Sequence, residues 1–335
     1  MRAHHEGSVE PVTYLASAAR RAAQRAILAP SIFNTQPWQF VISDQMLDIY
    51  ADFKRQLRVL DPQARQLHIS CGCAILNARI ALEAMGYTAT REWLPDSRHP
   101  AHLARIRIEP EPPAQPTLAA LDELIALRAS NYRGFIDGEV PAYVVRELAA
   151  AAETEHAVLI PLVAPALRRM TAAICEQAAE LQNNDPAYRA ETRYWTTTEL
   201  DRSDGILESA ASRFWRGSGN DTRPQGYRCN PHTQWAQPTR STAEQCLLVL
   251  GTVSDEPLCW LHAGEALERV LLVATGHQIA AEIQSPVIEM PHIRPQLRKA
   301  LGLSIHPHVI LRVGRGTSAP PSRRRRPGQM IHDRR

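Results

Sequence analysis

The sequence predicts an α+β protein made of two copies of one unit, each with a central antiparallel or mixed sheet flanked by helices. Amphipathic helical patterns alternate along the chain with short strand-like runs. The order helix, strand, turn, buried glycine-containing helix and strand occurs twice. When "SCGCAILNARIALEAMG" is aligned with "HAGEALERVLLVATG", Gly72 lies opposite Gly264 at an offset of 192 residues (264 − 72), and the apolar positions coincide. The alternative is two ordinary buried helices with similar sequences.

The first unit is assigned to residues 1–112. It opens with the helix "TYLASAARRAAQRAIL", whose apolar residues share one side. The runs "WQFVI" and "MLDIYAD" flank the turn-like "SDQ" and predict a hairpin. The segment "ARQLHISCGCAILNARIALEAMGY" is apolar on nearly every side, which predicts a core helix. The strand "ARIRIEP" then ends in a proline-rich linker near residue 112.

The second unit is assigned to residues 113–316. Helices are predicted at "LAALDELIALRA", "YVVRELAAAAE", "PALRRMTAAICEQAAELQ" and "LHAGEALERVLLVATGHQIA", strands at "AVLIPLV", "QCLLVLGTV" and "HVILRVG", and a turn at "PHIRPQLRKALGL". Residues 186–240 lack apolar periodicity and contain three tryptophans, which predicts an irregular, lid-like excursion. The basic end, residues 317–335, is expected to be a solvated, disordered tail.

Composition excludes several classes of function. No apolar run of about 18 residues could span a membrane, and the first residues lack the apolar segment of a signal peptide, so we expect a cytoplasmic protein. The net charge of +3 is too small to indicate a nucleic-acid partner. The six cysteines show no zinc spacing and fit buried thiols. No hydrolase, phosphate-loop or metalloprotease motif occurs, so neither a metal nor a catalytic side chain is predicted.

Two short segments carry polar groups that could bind a ligand. In "PSIFNTQPW", residues 30–38, two prolines stiffen a loop that holds Ser31, Asn34 and Gln36, and amides suit the edge of a heteroaromatic ring. The same residues could instead form only a helix-to-strand corner. In "RASNYRGF", residues 128–135, two arginines bracket a serine and could hold a phosphate. A solvated helix end is the alternative for this second segment.

These segments resemble known motifs. "APSIFNTQPWQF" is similar to the A-P-S-x-x-N-x-Q-P-W-x-F signature of the nitroreductase superfamily of FMN proteins, and "RASNYRGF" to that family's phosphate-binding R-x-S-x-R-x-F, with one extra residue before the second arginine. Later segments follow in the family's order. The chain looks like the Acg-like branch, in which two nitroreductase-type units are fused by gene duplication and one chain resembles a homodimer. The resemblance implies a nitroreductase-like fold with one complete FMN site, because each unit carries only one of the two motifs.

The resemblance also implies which residues contact FMN. Those beside the flavin ring would be Pro30, Ser31, Ile32, Asn34 and Gln36. Those at the phosphate would be Arg128, Ser130 and Arg133, with Arg312 and Arg315 close by. The backbone of Gln284 and Ser285 would lie near the reactive edge of the ring. The chain departs from the family at Gln278, where glycine is usual, and at Ile283, where proline is common.

The function that the resemblance implies is an oxidoreductase that passes electrons from NAD(P)H through FMN to a small oxidised acceptor, such as a nitro compound or a quinone. The protein would be a monomer that resembles a fused dimer, and no side chain need act as acid or base. The alternative is a flavin-sequestering protein with little turnover, in which the excursion lies over FMN. A flavin-free protein that shares the fold is the third possibility.

Overall fold

The computed structural model describes residues 11–114, 117–131, 135, 139–199, 201–207, 246–284, 286–316 and 322–334. Its helices are α1 Pro11–Ala26, α2 Arg65–Ala84, α3 Asp122–Leu127, α4 Ala142–Thr154, α5 Pro165–Asn184, α6 Pro186–Trp195, α7 Pro257–Gly276, α8 Pro286–Glu289 and α9 Ile293–Ala300. Its strands are β1 Trp38–Ser43, β2 Met46–Ala51, β3 Thr88–Trp93, β4 His102–Glu109, β5 Val158–Pro161, β6 Thr196–Thr197, β7 Ile206–Leu207, β8 Cys246–Thr252, β9 Ala280–Gln284, β10 His306–Gly314 and β11 Ile331–Asp333. None of these helices is long and apolar enough to cross a lipid bilayer. The predicted α+β class is confirmed.

The first unit forms a sheet with the strand order β11-β1-β2-β4-β3. The predicted hairpin is confirmed, because β1 and β2 pair antiparallel along their whole length. Alternate residues of β1, Trp38, Phe40 and Ile42, are buried, as a strand with one face on the core requires. The edge strand β3 was missed, because its sequence "TATREW" is polar and no residue of it is fully buried.

The second unit repeats this arrangement. Its sheet has the order β5-β8-β10-β9, with every pair antiparallel, so these strands take the places of β1, β2, β4 and β3. Each unit has one register shift, which skips Leu103 in β4 and His308 in β10. We align β4 with β10 so that Leu103 matches His308. The residue of β3 that pairs two positions further on is then Glu92, and the corresponding residue of β9 is Gln284, again 192 residues later (284 − 92). The structure therefore supports the repeat and extends it from the helices to the sheets.

The two units meet where the central helices α2 and α7 cross. A Cβ atom on Gly72 would clash with the carbonyl oxygen of Leu261, and one on Gly264 would clash with the carbonyl oxygen of Ile69. Leu261 also follows Ile69 by 192 residues (261 − 69), so the contact is reciprocal, as at the axis of a symmetric dimer. The two glycines are needed because the helix backbones touch at this point.

Two segments that the sequence analysis left irregular are helices. The predicted excursion begins with α6, whose start is fixed by the Asp185 side chain, which accepts hydrogen bonds from the backbone of Ala187 and Tyr188. The predicted turn at residues 291–303 contains α9, whose Ile293 and Leu297 are buried on one face. Residue 200 and residues 208–240 of the predicted lid lie outside the described residues.

The expectation of a disordered tail is wrong for residues 322–334. This segment ends in β11, which pairs in parallel with β1, and Met330 and Ile331 are buried there. Arg324 donates hydrogen bonds to the backbone carbonyls of Ile27, Leu28 and Ala29 just after α1. The arginine run looked like a solvated stretch, but the Arg324 side chain satisfies backbone carbonyls of the turn that follows α1. The predicted boundary at residue 112 stays a prediction.

Candidate functional site

A cleft lies where the two units meet. Its empty volume is about 620 Å³, a value that includes open solvent at the mouth of the cleft. Its lining residues are Pro30, Ser31, Ile32, Phe33, Gln66, Ile69, Ser70, Cys73, Ser130, Leu267, Ile283 and Val309. Four of the predicted site residues, Pro30, Ser31, Ile32 and Ser130, are thus brought together from segments about a hundred residues apart. Both predicted motifs therefore contribute to one concave surface.

The loop before β1 has a strained and well-anchored backbone. Phe33, Asn34 and Gln36 have φ angles of 47°, 53° and 50°, a left-handed region that non-glycine residues seldom adopt. The Ser31 hydroxyl accepts a hydrogen bond from the Gln36 N–H at 2.9 Å, and the Ser70 hydroxyl on α2 accepts one from the Ile32 N–H at 3.2 Å. Strain of this kind persists only where the surrounding structure holds the backbone in place, and it is common at functional sites.

The amides of Asn34 and Gln36 are not among the residues that line the cleft. Asn34 donates to the carbonyls of Gly205 and Arg323, while Gln36 donates to Ser203 and accepts from the Arg325 N–H. Both amides therefore join the loop to the tail and to the segment after α6. The corner interpretation explains these two residues in this structure, and their predicted contact with a ring stays a prediction.

Of the predicted phosphate residues, Arg128 is buried away from the cleft surface and Ser130 lines it. Arg128 is buried, and its Nε lies 3.6 Å from the carboxylate of Glu268. Arg128 Nε and Nη1 have no hydrogen-bond acceptor among the described residues. Ser130 forms a bridge to Ala281 of β9 and so stands in the cleft wall, whereas Arg133 lies outside the described residues. Buried donors without acceptors are costly, so this end of the cleft suits an anionic group.

The last strands place the remaining predicted residues. Arg312 on β10 is buried, 3.4 Å from Glu282 and with its guanidinium 4.7 Å from the centre of the Phe135 ring. Burial lowers its pKa. Arg315 is exposed. Gln284 is the last residue of β9, where it pairs with Ile310, and Ser285 lies outside the described residues.

One departure from the family pattern, Gln278, lies in the turn before β9, and the other, Ile283, lies in β9. Gln278 has a φ of 57°, so it takes the left-handed conformation that favours glycine. Ile283 lines the cleft, and β9 stays paired with β10 beside it. The backbone therefore keeps a regular path to the cleft with either substitution.

Sequence reasoning missed four cleft residues on α2, of which Ile69 is apolar and the other three carry an amide, a hydroxyl or a thiol. Gln66, Ser70 and Cys73 lie at helical positions i, i+4 and i+7, so they share the face of α2 that lines the cleft. Ser70 also donates to the Gln66 carbonyl at 2.7 Å. The signal was present in "RQLHISCGC", since two polar residues and a thiol recur at one-turn spacing within an otherwise apolar helix.

The opposite end of the α2–α7 pair should hold an equivalent cleft, and it is filled. Adding 192 to Ser70 and Cys73 gives His262 and Glu265, and subtracting 192 from Ile283 gives Arg91. Glu265 and Glu155 share Arg79, and Arg91 bridges the same two carboxylates. The connection between helix and first strand has eleven residues in the first unit, 27–37, but three in the second, 155–157. Charged side chains and a shortened loop thus occupy the position that corresponds to the cleft.

Comparison with known proteins identifies the class. No family model matches the chain. A Mycobacterium tuberculosis protein named "Putative NAD(P)H nitroreductase Rv3131" is 31% identical over 91% of this chain and 88% of its own length. A second protein from that organism, named "Putative NAD(P)H nitroreductase acg", is 29% identical over 92% of this chain and 93% of its own. The chain therefore belongs to the NAD(P)H nitroreductase family, as its motifs predicted.

Solved structures can also be aligned with the chain. The FMN-dependent nitroreductase NfnB from Mycobacterium smegmatis, in complex with NADPH, is 19% identical, and the alignment covers 62% of this chain and 95% of that chain with a TM-score of 0.39. The family assignment rests on the sequence relatives.

Proposed function

We propose that the protein binds one FMN in the cleft and uses NAD(P)H to reduce a small oxidised acceptor, such as a nitro compound or a quinone. The observation that carries this proposal is the meeting of two distant motifs in one cleft: Pro30, Ser31 and Ile32 from the first unit and Ser130 from the second. The relatives named as NAD(P)H nitroreductases support the nicotinamide as electron donor.

The residues present fit a phosphorylated flavin. At one end, Ser130 offers a hydroxyl, and Arg128 has buried guanidinium donors without acceptors. In the middle, Ile69, Leu267, Ile283 and Val309 give the cleft an apolar wall, which suits a flat aromatic system. A concave surface that combines an apolar wall with a few convergent polar groups is usual for such ligands.

The protein's part in the reaction is to bind and orient. FMN, when bound, supplies the hydride and electron transfer. The strained loop that carries Ser31 and Ile32 is fixed on α2 through Ser70, so its backbone is held in place before a ligand arrives. The aliphatic wall excludes water from the ring. Arg128 would hold the phosphate through its charge, and Ser130 through a hydrogen bond.

The first experiment is the anaerobic addition of NADH or NADPH to the purified protein loaded with FMN. We expect the flavin absorbance near 450 nm to decrease after the nicotinamide is added. Addition of a nitroaromatic compound or a quinone should then restore it. A protein that purifies colourless and whose melting temperature is unchanged by FMN would contradict the proposal.

A second function, flavin sequestration, has one specific observation in its favour. The segment after α5 packs on the cleft loop, where Tyr188, Trp195 and Ile206 cluster with Phe33, which also lines the cleft. A segment in this position could restrict access to the ring. Sequestration predicts that NADH and NADPH leave the colour unchanged while dithionite removes it, so the same experiment separates the two functions.

A further inference from the structure

A buried carboxylate lies directly behind the end of the cleft assigned to the phosphate. Glu268 of α7 is fully buried, and its neighbour Leu267 lines the cleft. Its carboxylate faces Arg128, whose Nε is 3.6 Å away. Cys73, which lines the cleft, is close enough to Glu268 and Arg128 for both charges to act on its thiol. The pair therefore lies close behind the cleft surface.

The groups that face Glu268 come from three other elements. They are Arg128 after α3, Cys73 and Asn77 on α2, and Arg324 in the tail. Neither carboxylate oxygen meets a donor at hydrogen-bonding geometry among the described residues. Burial raises the pKa of the Glu268 carboxyl to about 7, although Arg128, Asn77 and Arg324 act in the opposite direction. The side chain thus exchanges its proton near neutral pH.

The fold does not require a carboxylate at this position. The equivalent residue of the first unit, 192 positions earlier, is Leu76, which is fully buried in α2. An uncompensated acid in the core usually costs stability, so an apolar residue would serve packing better. We therefore attribute the acidic residue at position 268 to its neighbour Arg128 and not to the packing of α7.

We propose that Glu268 is a proton-linked counter-ion of Arg128, which weakens retention of a phosphate-bearing cofactor as the solution becomes more alkaline. The inference rests on the proposed FMN function. When Glu268 is ionised it competes with the phosphate for Arg128 and repels the phosphate dianion across a region of low dielectric constant. When Glu268 is protonated, Arg128 is left to the phosphate alone. Binding of the dianion therefore favours uptake of a proton by Glu268.

The sign of the effect follows from this linkage. A bound dianion raises the pKa of Glu268 further, so FMN binds more tightly to the protonated form. The affinity for the phosphate dianion should be highest when Glu268 is protonated and should fall as the pH rises through 7 and 8. If binding raises the pKa by about one unit, this affinity falls about four-fold between pH 7 and pH 8.5. At pH 8 the same change corresponds to uptake of roughly 0.4 proton per FMN.

The test compares FMN and riboflavin binding by the full-length wild type and Glu268→Gln between pH 7 and 8.5, where the FMN phosphate is largely a dianion. For FMN we expect the wild-type Kd to rise about four-fold, while Glu268→Gln binds tightly with a Kd that changes less than two-fold. Riboflavin, which lacks the phosphate, should show no such slope. Glu265→Gln, one turn earlier on α7 at the filled end, is the matched control and should keep the wild-type slope.

Calorimetry on the wild type gives a measurement that needs no variant. Titration of FMN at pH 8 in buffers of different ionisation enthalpy should show net proton uptake, because the free FMN phosphate is already a dianion at that pH. An equal slope in Glu268→Gln, an equal slope with riboflavin, or no proton uptake would each overturn the inference while leaving FMN binding intact. Absence of FMN binding at every pH would instead overturn the proposed function.

Discussion

The two ends of the α2–α7 pair began as equivalent positions of one fold and now differ in content. At the open end, Ser70 and Cys73 line a cleft under an eleven-residue loop. At the filled end their counterparts, His262 and Glu265, lie beside a three-residue connection and a network of arginines. The same helix crossing can therefore support a ligand site or an ionic core, and the residues around it determine which one forms.

The crossing itself should be the most sensitive part of the molecule. Gly72→Ala and Gly264→Ala each place a Cβ atom on a helix carbonyl of the other unit, so each should lower the free energy of unfolding by about 3 kcal/mol or abolish folding. Urea denaturation measures this change. Gly276→Ala at the end of α7, where the nearest atom is a flexible leucine methyl, is the control and should be neutral. A large difference between the losses of unfolding free energy at Gly72 and Gly264 would show that the two sides of the crossing are not equivalent.

Removal of Arg79 should cost the filled end about 3 kcal/mol of unfolding free energy, because two buried carboxylates, Glu155 and Glu265, lose a shared counter-ion. Arg79→Ala in urea denaturation tests this. Arg20→Ala, which removes an exposed ion pair with Asp333, should cost less than about 1 kcal/mol. FMN affinity should be unchanged in both variants, and a weakened affinity in Arg79→Ala would show that the filled end still serves the cleft.

At the open end, Asn34→Ala should lower the unfolding free energy by about 1–2 kcal/mol. The reason is the loss of hydrogen bonds from the Asn34 amide to Gly205 and Arg323 and from Arg324 to its oxygen. Asn34→Asp keeps the acceptor for Arg324 and should lose less. If stability is unchanged but FMN binds about 1–3 kcal/mol more weakly, then Asn34 contacts the ring and the anchoring role is wrong.

The filled end should also lose stability in acid. Burial lowers the pKa of the His262 imidazole to about 4, and His156 and Arg91 add to this effect while Glu155 opposes it. The folded state therefore keeps this ring neutral, and the stability that it contributes is complete above pH 6.5 and is lost as the pH falls toward 4. His262→Gln should reduce the fall in unfolding free energy between pH 7 and pH 4.5 by about 1 kcal/mol. His292→Gln, at an exposed histidine just before α9, is the control variant.

The smallest effect is expected at Gln278. Its φ of 57° is strained for a side chain with a Cβ atom, so Gln278→Gly should change the unfolding free energy by less than about 1 kcal/mol, in the stabilising direction. Gln284→Gly, in a regular strand, should destabilise the protein. A destabilised Gln278→Gly variant would show that the glutamine side chain supports β9.

Sequence patterns predicted the hairpin, the central helices and the repeat, because burial on one face or all faces leaves a clear periodic trace. They did not predict β3 or β11, since edge strands are short and polar and depend on the neighbour that pairs with them. They also missed the ordered tail, because Arg324 finds its carbonyl partners only after α1 has folded. Of the site, Pro30, Ser31, Ile32 and Ser130 meet as the motifs implied. The amides of Asn34 and Gln36 have other partners, which only the tertiary structure could reveal.

The central claim is that the duplicated fold keeps one cofactor site and has filled the other. The most direct measurement is the molar ratio of FMN to protein after saturation and removal of unbound flavin, in the wild type and in Ser130→Ala. We expect one FMN per chain in the wild type. In the variant we expect a single site that binds FMN with lower affinity. A ratio of two, or a ratio of zero with no effect of FMN on the melting temperature, would contradict it.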